Sequence, residues 1–335
     1  KILEGTKTLN LKSDPTGTPL QGRFERAFEY SDCWIEDTRL VVLNAKDAKI
    51  RGATIMTKCK MMRADRIGDL WHITVKDQVT GATSLVQARG LINASGPWVG
   101  NVIKQVDNIK STKGVRLVRG SHIVTRSLYD HDKAYFFQGE DGRIIFTIPY
   151  ENDFTLIGTT DVDHDDTERE PECTKAEADY LCDFVSGYFQ KPVTHDDIVW
   201  SYSGVRSLYD DGAKSATAAT RDHVLSLDHK EGTAPLLNVF GGKITTYRKL
   251  AEEVLTKIDP FFPKATGALT AGVALPGGNF PVDGVTKLFE NLKDNFPFLS
   301  DAWARRLIKA YGSEAFIMLG DATKATDLGR DFGAT

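Results

Sequence analysis

A short apolar run, Pro235 to Phe240 (PLLNVF), leads without a spacer into Gly241-Gly242. Beyond the glycines, apolar residues fall at Tyr247, Leu250, Ala251, Val254, Leu255 and Ile258. The run has strand length, and the spacing after it is that of one face of an α-helix. The unit therefore reads as strand, Gly-Gly turn, helix, and the rest of the chain has to be arranged around it. Two residues without a Cβ let backbone approach a ligand closely, and the N–H groups of a first helical turn attract negative charge. Lys243 adds a full positive charge there, beside Thr245 and Thr246. Upstream, Ser203-Gly204-Val205-Arg206 supplies a guanidinium, whose fork matches a phosphate in a way that a lysine does not. A lone Gly-Gly is more often a simple chain reversal; these companions shift the balance toward an anion site.

Bulk properties exclude more than they assign. The 335 residues, 41% of them hydrophobic, suffice for two domains with cores. No apolar run approaches the roughly 20 residues that span a bilayer. A net charge of −4 argues against a nucleic-acid partner. Cys33, Cys59, Cys173 and Cys182 show neither CxxC nor metal spacing, and seven histidines form no cluster, so buried thiols in a reducing compartment and no metal are expected.

Along the chain, Asp37 or Thr38 is placed to cap a helix running to about Asn44 or beyond, with Leu40, Val41, Leu43 and Ala48 on or near its buried side. Three strand-like runs follow, ATIMTKCKMM, DLWHITVKD and TSLVQARGLINA. Their short connections predict an antiparallel meander. Gly90 to Ala94 is apolar enough for a buried strand of a parallel sheet and ends in Ser95-Gly96-Pro97-Trp98 before a helix. That turn fits a cofactor contact and an ordinary helix cap equally well. Residues 113–240 alternate in strand fashion, interrupted by one helix from about Thr174 to Phe189, which predicts a mainly antiparallel α+β region. The aromatic residues at 135–137, Phe146 and Tyr150 are expected in its core. After a Gly- and Ala-rich linker, VTKLFENL and AWARRLIKAYG begin a helical region.

Six segments, LINASGPWVG, GVRLVRGSHIV, YFFQGEDGRIIFTIPY, LIGTTDVD, DIVWSYSGVRSL and NVFGGKITTYRKLAE, resemble in order and spacing the FAD-dependent sn-glycerol-3-phosphate dehydrogenases of the respiratory type, from about Tyr30 onward. That family opens with a Rossmann GxGxxG turn, and no GxGxxG occurs here. The resemblance thus implies a piece of such an enzyme: a partial FAD-binding α/β domain with its meander (1–112 and 238–262), an antiparallel α+β substrate domain (113–237) and the start of a C-terminal helical domain (274–335). FAD contacts are expected from the strand-to-helix turns and their neighbours: Ala94, Ser95, Gly96, Trp98, Gly204, Gly241, Gly242, Lys243, Ile244 and Thr245. An open sheet edge is expected beside the strands at 90–94 and 235–240, where the absent strands would pack.

The chemistry implied is oxidation of sn-glycerol 3-phosphate to dihydroxyacetone phosphate, with electrons passed to a membrane quinone by a protein peripheral on the inner face of the cytoplasmic membrane, with a homodimer as a candidate assembly. Hydride transfer to a flavin needs the hydroxyl proton removed and the phosphate anchored. Arg206 is the expected phosphate anchor, His122 the expected proton acceptor near neutrality, and Lys243 and Thr246 further substrate contacts. The family also takes an Arg and a Tyr from a segment outside these residues. Alternatives are a glycerol-3-phosphate oxidase, another flavin oxidase of an amine or alcohol, and a phosphate-binding piece without flavin.

Overall fold

The apolar run at 235–240 forms strand β14 (Leu236–Phe240), buried at every residue, and it pairs in parallel with β6 (Leu91–Asn93). On its other side β14 takes β13 (Val224–Asp228) as an antiparallel neighbour. β6 is the edge of this sheet among the described residues, and Ile92 on it is exposed. In the computed structural model the described residues are 3–106, 114–140, 142–151, 153–165, 167–210 and 222–333. The chain divides into two units, one of Lys1–Cys33 with Cys59–Ala265 and one of Trp34–Lys58 with Thr266–Thr335.

Within the first unit, β1 (Lys7–Asn10) and β2 (Arg26–Glu29) form a hairpin. The meander is β3 (Cys59–Ile67), β4 (Leu70–Asp77) and β5 (Thr83–Ala88), antiparallel throughout. Its first strand was expected from Ala53, yet pairing begins at Cys59. After β6 a 3-10 turn at Gly96–Trp98 leads to α2 (Val99–Lys104), and after β14 a 3-10 turn at Ile244–Thr246 precedes α4 (Tyr247–Ile258). The helix after the glycines thus begins four residues later than a direct Gly-Gly junction gives.

The largest sheet is built on β7 (Val115–Arg126). On one side lies β12 (Ile198–Tyr209) along its whole length; on the other lie β10 (Phe154–Gly158) and, further along, β11 (Val162–His164). β9 (Ile144–Tyr150) and β8 (Tyr135–Gln138) continue it beyond β10. Alternation gives the sheet two faces. One face, carrying Ile123, Phe137, Ile145 and Ile157, packs on α3 (Lys175–Ser186) through Ala178, Leu181, Cys182 and Val185. Thr174 and Glu177 form a capping box at the start of α3. The opposite face corrects one expectation: Phe136 is 43% and Phe146 37% exposed, while Phe137 between them in sequence is core. Val224–Asp228, within the range expected for the substrate domain, belongs instead to the β14 sheet.

The second unit joins α1 (Asp37–Ile50) to α5 (Val285–Asn295), α6 (Asp301–Tyr311) and α7 (Glu314–Leu319). Leu292, Phe296, Leu299, Ala304, Leu307, Ile308, Ala315 and Leu319 form its core. α1 is tied in by Arg39 Nε donating to the Ala310 carbonyl at 2.6 Å and by Lys46 paired with Glu314 at 2.7 Å. No side chain caps α1, and Val41, expected near its buried side, is 64% exposed. No described helix is long and apolar enough to cross a membrane.

Candidate functional site

Because β6 and β14 run in parallel, the turns that follow them leave the same edge of the sheet. Ligands of open α/β sheets bind beyond this carboxyl edge. Both turns need glycine: φ is +57° at Gly96, +69° at Gly241 and +103° at Gly242, left-handed values that side chains with a Cβ resist. A β-carbon on Gly241 would also stand 2.9 Å from the Asp222 carbonyl oxygen.

Behind the turns is a buried polar pair that the sequence reading missed. Asn93 on β6 donates through Nδ2 to Asn238 Oδ1 on β14 at 2.9 Å and to the Val99 carbonyl at 3.0 Å, while Ser95 Oγ donates to Asn93 Oδ1 at 2.6 Å. Buried amides left unpaired would be costly, so this closed set fixes the strand register and the hydroxyl of the first turn together. The only available signal was an Asn inside each apolar run. Ser207 of β12 was missed as well. Its carbonyl lies 3.7 Å from the β-carbon position of Gly241 and its Oγ 3.9 Å from that of Gly96, which brings the end of β12 to both turns.

The large sheet contributes the two side chains expected to handle substrate. Tyr202, His122, Gly158, Phe146 and Phe136 lie in one row across β12, β7, β10, β9 and β8, on the face away from α3. His122 is in the interior of β7. Its ring stacks on Tyr202 with centroids 4.9 Å apart and planes within 6°. Its Nδ1 is buried with no hydrogen-bond partner among the described residues. Burial, and then the positive charge of Arg206, push the imidazole down to about 4, so it is neutral at pH 7 and its titration lies below the near-neutral one expected from sequence.

Arg206 projects from β12 on the same face. Its Nη1 donates to Asp161 Oδ1 at 2.6 Å and to the Thr160 carbonyl at 3.3 Å, and Nη2 to Thr159 Oγ1 at 3.0 Å. All three partners are in the link between β10 and β11. The expected anchor is therefore an ion-paired guanidinium, and Asp161 is a second group that the sequence reading did not single out.

The remaining candidates divide. Ser95 and Gly96 are half-buried in the first turn, Ala94 is exposed, and Trp98 is 51% exposed with its Nε1 donating to the Thr167 carbonyl. Gly204 faces open space. Lys243, Ile244, Thr245 and Thr246 are exposed in the second turn, where Thr246 Oγ1 donates to the Lys243 carbonyl. No described contact joins Lys243 to His122 or Arg206. The structure brings His122 and Arg206 onto one face and links that sheet to the two turns through Ser207.

Residues 2–248 match the family of FAD dependent oxidoreductases. The chain is 42% identical over 314 residues to the aerobic glycerol-3-phosphate dehydrogenase of Escherichia coli (strain K12), covering 94% of this chain and 62% of that protein. It is 41% identical over 333 residues to the D-erythritol 1-phosphate dehydrogenase of Brucella abortus (strain 2308), covering 99% of this chain and 66% of that one. Among solved structures it is similar to the glycerol-3-phosphate dehydrogenase from Bacillus halodurans complexed with FAD, with a TM-score of 0.75, 25% identity and coverage of 94% of this chain and 64% of that chain. The chain thus spans just under two thirds of the length of these proteins. It belongs to the FAD dependent oxidoreductase family. The residues present fit that cofactor: two glycine turns at one sheet edge, cleared of β-carbons, and a helix start after each.

Proposed function

We propose that this member of the FAD dependent oxidoreductase family contributes the substrate-oxidising site of an enzyme that converts sn-glycerol 3-phosphate to dihydroxyacetone phosphate and passes the electrons to a membrane quinone. The observation that carries the reading is the placement of a guanidinium and a neutral imidazole on one sheet face. A phosphorylated secondary alcohol needs both, one to hold its phosphate and one to take its hydroxyl proton.

Bound FAD supplies the acceptor for the hydride that leaves the alcohol carbon. Ser95, Gly96, Gly241 and Gly242 line its approach to the backbone, with Lys243 and the start of α4 offering positive charge to it. Arg206 shares its guanidinium between Asp161 and the substrate phosphate. His122 takes the hydroxyl proton on its imidazole, whose Nδ1 has no partner among the described residues. The imidazole is ready for this at pH 7 because burial and Arg206 already keep it unprotonated. The ring of Tyr202 limits its rotation.

Steady-state kinetics of the flavin-loaded protein test the assignment. Arg206→Ala should lower kcat/KM for sn-glycerol 3-phosphate by roughly a hundredfold, the size of a lost charge-assisted hydrogen bond pair. Arg206→Lys should recover part of the loss, and turnover of glycerol should be indifferent to both. Equal losses on glycerol and its phosphate sink the assignment. Quinone reduction measured against oxygen consumption tests the acceptor.

A second reading keeps the site and changes the substrate to D-erythritol 1-phosphate, supported by the relative that matches nearly the whole chain at the same level of identity. The same anchor and proton acceptor serve either molecule. The ratio of kcat/KM for the two phosphates decides between them.

A further inference from the structure

Two buried glycines lie where the two functional side chains cross the sheet. Gly120 is in the middle of β7, and Arg206 reaches over it from β12 to the β10–β11 link. A β-carbon on Gly120 would stand 2.4 Å from Nη2, 2.6 Å from Nη1 and 2.7 Å from Cζ of Arg206. Gly158 closes β10 opposite His122, and a β-carbon there would stand 2.1 Å from the imidazole Cδ2 and 2.7 Å from Cγ and Nε2. These separations are far inside van der Waals contact, where atoms repel. Neither glycine has a positive φ. Glycine in a strand interior weakens the strand, and its usual return is a close approach by another group. Here that group is in each case a side chain of the site.

We propose that Gly120 and Gly158 are positioning residues: they let the Arg206 guanidinium and the His122 imidazole lie flat on the sheet and so fix the phosphate anchor and the proton acceptor relative to each other. The proposal rests on the roles given to Arg206 and His122 above. Gly158 walls the imidazole on the β10 side and Tyr202 on the β12 side. The charged and titratable groups facing the imidazole are Arg206 and Tyr202, with Asp161 beyond Arg206; β10 contributes none at this position. Moving either side chain off its glycine changes the setting of His122, whose titration becomes a reporter that needs no turnover.

The experiment combines NMR titration of ring-labelled histidine in the full chain with kinetics of the flavin-loaded protein for Gly120→Ala and Gly158→Ala. In Gly120→Ala the guanidinium, the end of a flexible side chain, must move. KM for the phosphate substrate should rise on the order of tenfold or more with a smaller change in kcat, and the His122 midpoint should rise from about 4 as the neighbouring charge withdraws. In Gly158→Ala the ring is expelled, and its midpoint should climb toward the ordinary 6.5, with the acidic limb of kcat/KM following. Should Gly158→Ala fail to fold, the double variant with His122→Ala decides: with the ring gone it should melt like His122→Ala alone. A double variant that stays unfolded, or alanine variants that lower Tm but leave KM and the His122 midpoint at their original values, overturns the proposal. A shifted midpoint in Gly120→Ala alongside equal losses on glycerol and its phosphate in Arg206→Ala keeps the positioning role and rejects the substrate reading instead.

Discussion

Ser121 and His122 are consecutive residues of β7, and alternation sends them to opposite faces of one sheet with opposite consequences. On the α3 face, Ser121 Oγ donates to Glu177 Oε1 at 2.8 Å and shares a hydrogen bond with Ser203 at 2.7 Å. Thr160 Oγ1 and Thr174 Oγ1 also donate to Glu177, and Arg119 pairs with it at 2.8 Å. Each of these donors has Glu177 as its acceptor. On the other face, His122 keeps a buried Nδ1 without a partner among the described residues, and Arg206 has a more exposed acid than Arg119 does. One face closes around the Glu177 carboxylate, and the other holds an imidazole nitrogen that no described residue satisfies. Unsatisfied buried polar atoms are rare in folded proteins, and where they occur a ligand is a physical explanation. The contrast also separates two arginines of similar setting in sequence: Arg119 is held in the closed face by Glu177, and Arg206 is the one proposed for the site.

The largest effect should come from breaking the closed face. Burial alone would raise the Glu177 carboxyl, yet hydrogen bonds from Thr174 and Ser121 and the pairing with Arg119 hold it down at about 2. Glu177→Ala leaves the Arg119 guanidinium and three hydroxyls without their acceptor, and should cost about 3–5 kcal/mol of unfolding free energy by urea titration at pH 7. Thr160 links the two faces, because its carbonyl also receives Arg206. The comparison predicts a His122 midpoint unchanged in the folded fraction of Glu177→Ala. A midpoint that moves shows the faces to be coupled through Thr160.

The open face should show itself in pH dependence. His122 has a folded midpoint near 4 against an ordinary 6.5, so the unfolded chain takes up the proton first as pH falls. Stability from this group is whole above pH 6.5 and is lost as pH drops toward 4. The full shift corresponds to about 3 kcal/mol at 1.36 kcal/mol per unit. Glu177 works in a lower window, its stability being present above 4.5 and lost toward 2. Unfolding free energies of the chain and of His122→Gln, compared between pH 7 and 4.5, isolate the first window. A slope that survives in His122→Gln assigns it to other groups.

What the sequence made legible on the two faces follows from range. The strand, glycine pair and helix at 236–258 were readable because periodicity and glycine chemistry are local, as were the meander and α3. Arg206 and His122 were found by chemical type. Gly120, Gly158 and Asp161 were not, because their meaning depends on β7 lying between β12 and β10, a register written nowhere along the chain. Asn93 and Asn238 lie 145 positions apart, and each alone looks like a flaw in an apolar strand. Phe136 and Phe146 were assigned to the core because a run of aromatics shows alternation but not which face α3 covers. α1 resisted for a related reason: its partners Ala310 and Glu314 lie more than two hundred and sixty positions downstream.

The smallest effect tests the stack that holds the open face. Tyr202 is paired with His122 in register, and its ring is parallel to the imidazole at 4.9 Å, but it remains 38% exposed. An aromatic pair contributes roughly 0.5–1.5 kcal/mol beyond the area it buries, and exposure takes part of that away. Tyr202→Leu should therefore cost under about 1 kcal/mol in the urea titration, well below Glu177→Ala. The functional consequence should be out of proportion to this cost. Without the stacked ring the imidazole gains rotational freedom and water on its β12 side, which relieves the burial that depresses it, so its midpoint should rise and the acidic limb of kcat/KM should rise with it. Tyr202→Phe keeps the ring and should retain both the midpoint and the limb. If leucine and phenylalanine leave the midpoint equally unmoved, the stack contributes nothing to the setting of His122, and Gly158 alone positions the ring.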